Sequence, residues 1–479
     1  MGGTSIEWDE TAWREAVDRV LAGKDFERTL VTRTHDHIAI RPLYPAAEAV
    51  SPLRRLDGGS RTIRIHQRLD HSSPAAARDL ALAELDGGAE GLVLTLRGAP
   101  SARGFGLDPA ALDAMLDAVP IDRVALRLEG SPFAGEASAD AVLNVIERRG
   151  SDPAALDLDL GIDPIGDMAR CGEAPQPWQK LASGLAGLHR RWREMGVPGP
   201  VIRADGRPHH EAGASEAQEL AGVLATAVAY LRTLDAGGIG LEPARAGVSF
   251  LLVADADLLL SVCKFRALRH LWARVETACG LEPAPIRLHG ETAWRMLTRR
   301  DPHGNLLRGT LAATAAILGG VDGLTVLPFT SALGLPDAAA RRLARNTALI
   351  LRDEAHLAKV ADPVAGAGAF EALTQGLCEE AWMLFQDLER GGGIVAALET
   401  GNWQAKVGAM RAKRCEDVTR GAAPIIGTTL FPDPAEATPT VRHTTPASPR
   451  TASAEFEPLP SLRDAEPFET AAEMQEPSP

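Results

Sequence analysis

The polar residues that could do chemistry in this chain are concentrated between positions 286 and 363, at the ends of short apolar runs. The run PIRLH (285–289) ends in His289 with Glu291 two residues on, and GLTVLP (323–328) leads into Phe329. An imidazole and a carboxylate where a buried parallel strand gives way to its helix stand at the end of a β/α unit that normally carries the site. A second pair, His209-His210 in RPHHEAGAS, precedes Ser215 and Gln218, which read as an S-x-x-Q capping box. The pair is either a donor that polarises a carbonyl or the lining of a loop before that helix. In SVCKFRALRHLWAR, Lys264, Arg266 and Arg269 lie on a helix at spacings that bracket a pyrophosphate or form a solvated face.

Other signals are weaker. Asp255 and Asp257 in LLVADADLLL follow a strand as the Asp-x-Asp of aspartyl-phosphate phosphatases does, but without the Thr or Val two places later, and they read as helix caps. Gly366 and Gly368 lack the Lys-Ser/Thr ending of a phosphate loop, and Gly391 to Gly393 end a helix. The five cysteines are scattered with no Cys-x-x-Cys pair, so neither a disulfide framework nor a metal site is expected.

These residues need a scaffold. Strand-like runs at 91–96, 124–129, 156–161, 200–205, 248–255, 285–289 and 323–328 alternate with helical periods. Seven such strands, with an eighth near Ala358 to Ala361, give an α/β chain folded as a parallel (β/α)8 TIM barrel. A doubly wound open sheet is the competitor, and the first turn lacks its G-x-G-x-x-G. Residues 1–60 read as an arm: a helix over Trp8 to Leu21, then the extended THDHIAIRPLYP (34–45). The barrel is assigned to 61–431. Residues 432–479, rich in Pro, Ser, Thr and Glu without apolar periodicity, are expected to be a disordered tail.

A hydrophobic share of 45% over 479 residues is enough for a large core. The net charge of −14 argues against nucleic-acid and anionic-membrane partners and for a cytoplasmic location.

Four blocks in order carry a family resemblance: HGETAWRMLTRRDPHGNLLRGTLAATAAILGG (289–320), PFTSALGLP (328–336), ARRLARNTALILRDE (340–354) and KVADP (359–363). They resemble the substrate-binding barrel of the adenosylcobalamin-dependent methylmalonyl-CoA mutases, and the resemblance, over Trp8 to Phe431, is closest to the small (β) subunits of heterodimeric bacterial enzymes. It implies an arm that wraps a large (α) partner subunit. That partner would hold adenosylcobalamin and interconvert methylmalonyl-CoA and succinyl-CoA. The tail stands where a typical mutase continues into a cobalamin-binding domain, so no such domain is expected.

Residue by residue, the resemblance puts His66, in Arg61-Thr62-Ile63-Arg64-Ile65-His66, where catalytic subunits carry an adenosyl-facing Tyr. Counting without gaps puts Pro208 at the substrate-carbonyl His, with His209 or His210 as stand-ins. His289 matches a substrate-facing His, but Glu291 replaces the neighbouring Gln, and an acid there repels coenzyme A phosphates. Lys264, Arg266 and Arg269 match the coenzyme A-side helix, and Glu354 an adenosyl-side acid. Asp301-Pro302-His303-Gly304 resembles the cobalt-ligating Asp-x-His-x-x-Gly but lacks its last Gly. Together these departures imply a non-catalytic small subunit. The alternatives are a catalytic acyl-CoA mutase barrel with cobalamin on a separate chain, or a stand-alone pseudoenzyme that binds acyl-CoA.

Overall fold

Eight short runs whose side chains alternate between two environments form one parallel sheet in the computed structural model, which describes residues 9–47, 50, 53, 63–433, 435–442 and 454–473. The strands are β1 (Arg64–Leu69), β2 (Gly91–Thr95), β3 (Ala125–Glu129), β4 (Leu158–Asp159), β5 (Ile202–Asp205), β6 (Val248–Ala254), β7 (Leu288–Thr292) and β8 (Gly323–Thr325). Each pairs with its neighbours in sequence except β4 with β5, and β8 returns to β1, with Thr325 opposite both His66 and Glu291. Between β4 and β5 the ring is joined by a parallel bridge of Ile162 with Ile202. The result is the expected α/β barrel.

One strand assignment is corrected. The expected strand at 358–361 is a turn in which Val360 is exposed, and His356 just before it has φ +60°. The closing strand is instead RIHQRL (64–69), whose polar composition hides it from a search for apolar runs.

Helices cover the outside of the sheet. The helix Glu216–Ala236 starts at the expected capping box, in which Ser215 and Gln218 each bond the other's backbone. It is buried almost all round because a further helix, Gly368–Arg390, packs over it and over Leu258–Ala278. A helix sealed on every face is apolar on every face, which accounts for GVLATAVAYL.

The arm begins with the helix Glu10–Leu21, capped by the Asp9 side chain; Trp8 lies outside the described residues. Its extended part is seated on this chain's own barrel. Asp36, buried, bonds Ser215 Oγ and accepts from the Ala217 amide at 3.2 Å, while Ile38 packs against Gly376. The tail also departs from expectation. Residues 443–453 and 474–479 lie outside the described residues, but 454–473 is built onto the barrel and ends in a helix, Glu466–Glu473. Composition did not foresee this, because the segment is held by backbone and charged contacts rather than by an apolar stripe. Glu455 and Phe456 donate to the Gly172 carbonyl, Leu459 to Ala169, Leu462 to Glu211 and Asp464 to Arg295.

Candidate functional site at the barrel mouth

Residues two apart on a strand share a face. In β1, β3, β5 and β7 the pairs His66/Arg68, Arg127/Glu129, Arg203/Asp205 and His289/Glu291 are all buried and interact across the barrel. They form two layers of four from alternate strands, the packing scheme of such barrels. Those layers are usually branched and apolar; here they are polar. The lower layer is His66, Arg127, Arg203 and His289; the upper is Arg68, Glu129, Asp205 and Glu291. Asp159 (β4), Ser249 (β6) and Thr325 (β8) lie between them: Asp159 pairs with Arg127 at 3.1 Å and Arg203 at 3.3 Å and accepts from Ser249 at 3.0 Å. Thr325 Oγ1 meets His289 Nε2 at 2.9 Å.

Arg207, just past β5, completes the upper layer. Its guanidinium reaches Glu129 and Asp205, each at 2.6 Å, and Glu291 at 3.4 Å, while Arg68 reaches Glu291 at 3.3 Å and Glu129 at 3.6 Å. Four guanidinium groups thus meet four carboxylates inside the barrel. Burial alone would raise the Glu129 carboxyl, but Arg207 and Arg68 outweigh it and hold it well below the usual range. Burial would likewise lower Arg207, and its three acids hold it well above. The axis of the barrel is therefore filled by side chains paired with groups of opposite sign.

Above this plug the mouth is closed a second time. Arg103, from the loop after β2, stacks over Trp294 and pairs with Glu211 at 2.8 Å; Arg170 holds the other Glu211 oxygen at 2.9 Å. Ser461 of the C-terminal segment donates to Glu211 at 2.6 Å. Farther along, Glu469 pairs with Arg463 at 2.7 Å and accepts from the Arg299 amide at 2.5 Å. The segment thus straps the rim from the helix after β4 to the loop after β7. Beside it a cleft of about 480 Å³ opens at the β3 to β5 rim, lined among others by Ser101, Asp163, Asp167 and Arg170. Burial raises the Asp163 carboxyl to about 7 and Asp167 to about 8.

The residues singled out from sequence fall in four places. His289 and Glu291 are inside the barrel as strand-end residues, in the lower and upper layers. His66 lines the floor rather than the mouth: its Nδ1 lies 3.1 Å from the Arg64 carbonyl and its ring stands edge-on to His289 at 4.9 Å. Burial and then Arg127 hold it down to about 3, a neutral imidazole.

His209 and His210 lie on the short helix Arg207–Glu211, both buried and both engaged. Trp403 donates its indole N–H to His209 Nδ1 at 3.0 Å, and Gly222 leaves room for the ring, which a Cβ there would meet at 2.7 Å. His210 sits between Glu219 (2.9 Å) and Asp255 (3.3 Å). Of the carbonyl-donor alternatives, only Pro208 lines the cleft.

Lys264, Arg266 and Arg269 form neither a phosphate bracket nor a solvated face. All are buried: Lys264 on Glu219 at 2.5 Å, Arg266 on Asp362 and Glu371, and Arg269 on Asp322 at 3.0 Å. Glu354 is exposed at the end of the helical turn Ile350–Glu354, whose Arg352 bonds the Ile63 carbonyl just before β1, at the end of the barrel opposite the mouth. Asp255 is bound to Arg295 at 2.8 Å and Asp257 caps Leu258–Ala278, as the cap reading expects.

Residues 104–475 match the family model described as methylmalonyl-CoA mutase. The chain belongs to the methylmalonyl-CoA mutase family. It is similar to the methylmalonyl-CoA mutase small subunit of Streptomyces virginiae, at 39% identity over 91% of this chain and 72% of that one. The probable small subunit of Mycobacterium bovis is 35% identical over 94% of this chain and 76% of its own length. The small subunit of Propionibacterium freudenreichii subsp. shermanii is 31% identical over 88% and 68%.

Members of the mutase family are generally adenosylcobalamin-dependent, and the residues described here do not fit that cofactor. In Asp301-Pro302-His303, the His303 ring nitrogen lies 2.9 Å from Glu436 and the ring lies against Phe329, so Asp301 does not orient it. Asp301, at φ +46°, packs on Gly427 instead. Among the described residues no cluster of His, Cys, Asp and Glu is arranged to hold a metal ion, and no helix is long and apolar enough to cross a membrane.

Sequence reasoning missed Arg68, Arg127, Glu129, Asp159, Arg203, Asp205 and Arg207. The signal was present: RIHQRL, ALRLE and IRAD each place polar residues two apart within a strand, and LDLD does so at the start of one.

Proposed function

We propose that this chain is the non-catalytic small subunit of an adenosylcobalamin-dependent methylmalonyl-CoA mutase, and that a large partner subunit binds the cofactor and carries out the radical isomerisation of methylmalonyl-CoA to succinyl-CoA. The observation that carries the reading is the filled barrel: four Arg and four acids occupy the axis, and the strap from 454 to 473 crosses the mouth. An acyl-CoA would have to displace paired charges, each costly to strand in a buried setting. The seating of His209 against Trp403 and Gly222 and of His210 between two acids supports the same conclusion, since both rings are buried and neither lines the cleft. The role left is to support the partner, in the cytoplasm.

The test is co-expression with a large mutase subunit from the same genome, comparing the native chain with His209→Gln/His210→Gln. Turnover per assembled heterodimer is expected to be unchanged. A loss of about a hundredfold with assembly intact, the size of losing a carbonyl-polarising donor, would place the working residue here and sink the proposal.

A further inference from the structure

The barrel has a second end. At the N-terminal ends of the strands a cavity of about 250 Å³ is lined by Arg64, Arg127, Arg287, His66 and His289, with Asp157, Asp159 and Asp322 in its wall. The three acids are already committed. Asp157 pairs with Arg64 and Arg287; Asp159 with Arg127 and Arg203; Asp322 with Arg269 and the Leu288 amide. Three guanidinium groups of the lining thus face three carboxylates, two of which are also claimed from outside the cavity by Arg203 and Arg269.

The deepest of the three that line the cavity is Arg127, 4% exposed, with one amino group on Asp159 and its Nη2 without a hydrogen-bond partner among the described residues. A buried charged donor left unmatched is costly. Its surroundings register the crowding of cations: burial, then Arg203, pull Arg127 down to about 9, and burial followed by Arg127 depresses both imidazoles. Arg64 and Arg287, half-exposed, stand at the rim.

We propose that this floor binds a small inorganic oxyanion of the size and charge of phosphate, anchored by Arg127 and closed by Arg64 and Arg287. Guanidinium groups match phosphate oxygens, and an oxyanion supplies the acceptor that the buried Arg127 Nη2 lacks. The site lies on the opposite side of the charged plug from the mouth, so it is independent of the function proposed above.

The experiment is titration of the full chain with sodium phosphate at constant ionic strength balanced by sodium chloride, read by calorimetry and by thermal unfolding. Saturable one-site binding is expected, with a rise in Tm that chloride alone does not give. Arg287→Gln should weaken binding about tenfold, one charge-assisted contact, and Arg127→Gln should abolish the phosphate-dependent rise. Should Arg127→Gln fail to fold, Arg287→Gln and Arg64→Gln at the rim decide. No saturable binding, or equal affinity in the rim variants, overturns the site.

Discussion

Arg207 and Glu129 meet at 2.6 Å across the upper layer of the barrel, and each also holds a second partner of the opposite sign. The pair is therefore a node of a network rather than an isolated bridge. Removing one member of a buried pair strands the other, which costs more than the pair contributes.

Arg207→Met is accordingly expected to lower stability at pH 7 by about 3–5 kcal/mol in urea unfolding. Adding Asp205→Asn should recover most of that loss, because Asp205 has its ion pair with Arg207 alone among the bridges described and the stranded charge goes with it. A double variant no better than the single one would show that packing, not charge, holds the upper layer.

The cleft carboxyl of Asp167 gives a signed pH effect. It keeps its proton in the fold up to about pH 8, because of burial and then the neighbouring Asp163, but loses it near the ordinary value of 3.8 when unfolded. The folded state thus binds more protons between these values, and stability from this group falls as pH rises from about 4 to about 8. Asp167→Asn keeps an acceptor for the Phe133 amide, bonded at 2.8 Å. It is expected to be more stable than the native chain at pH 8.5 and equal to it near pH 4. Parallel stability curves for the two proteins would refute this.

Truncation after residue 453 removes the strap. Its own Leu459 and Ala465 are buried against the barrel and go with it, and Glu211 loses Ser461. The truncated chain should be less stable by about 2–4 kcal/mol, the sum of one buried leucine and a few hydrogen bonds. Unchanged Tm and unchanged protease resistance would mean that the strap rests on the barrel without holding it.

Ser215→Ala tests the arm. The Ser215 hydroxyl caps Glu216–Ala236 through the Gln218 amide at 3.2 Å and also bonds Asp36. A lost N-cap costs about 1–2 kcal/mol, and protease should cut the arm between residues 34 and 45 sooner. Equal cutting rates would detach the arm from the cap.

The barrel was legible from the sequence because seven of its strands are apolar enough to stand out between helices, and the family blocks sit at its last βα turns. The eighth escaped because RIHQRL packs polar side chains inward, which the usual equation of burial with apolarity does not anticipate. The same inversion hid the plug: Arg127, Arg203 and Asp205 were passed over as polar positions in strands, although their two-residue spacing marked one face. Lys264, Arg266 and Arg269 misled in the opposite sense. Cations on a helix suggest solvent or a ligand, but Glu219, Asp362, Glu371 and Asp322 come from distant parts of the chain, and only the folded structure brings them together.

Because the lower layer has more guanidinium groups than acids and the upper layer more acids than guanidinium groups, the inner wall is neutral only as a whole. Its eight charged positions are therefore coupled in descent as well as in energy. A lineage that altered one would be pressed to alter another of opposite sign, so reopening the barrel to a ligand would take several coordinated replacements, with unstable intermediates between them.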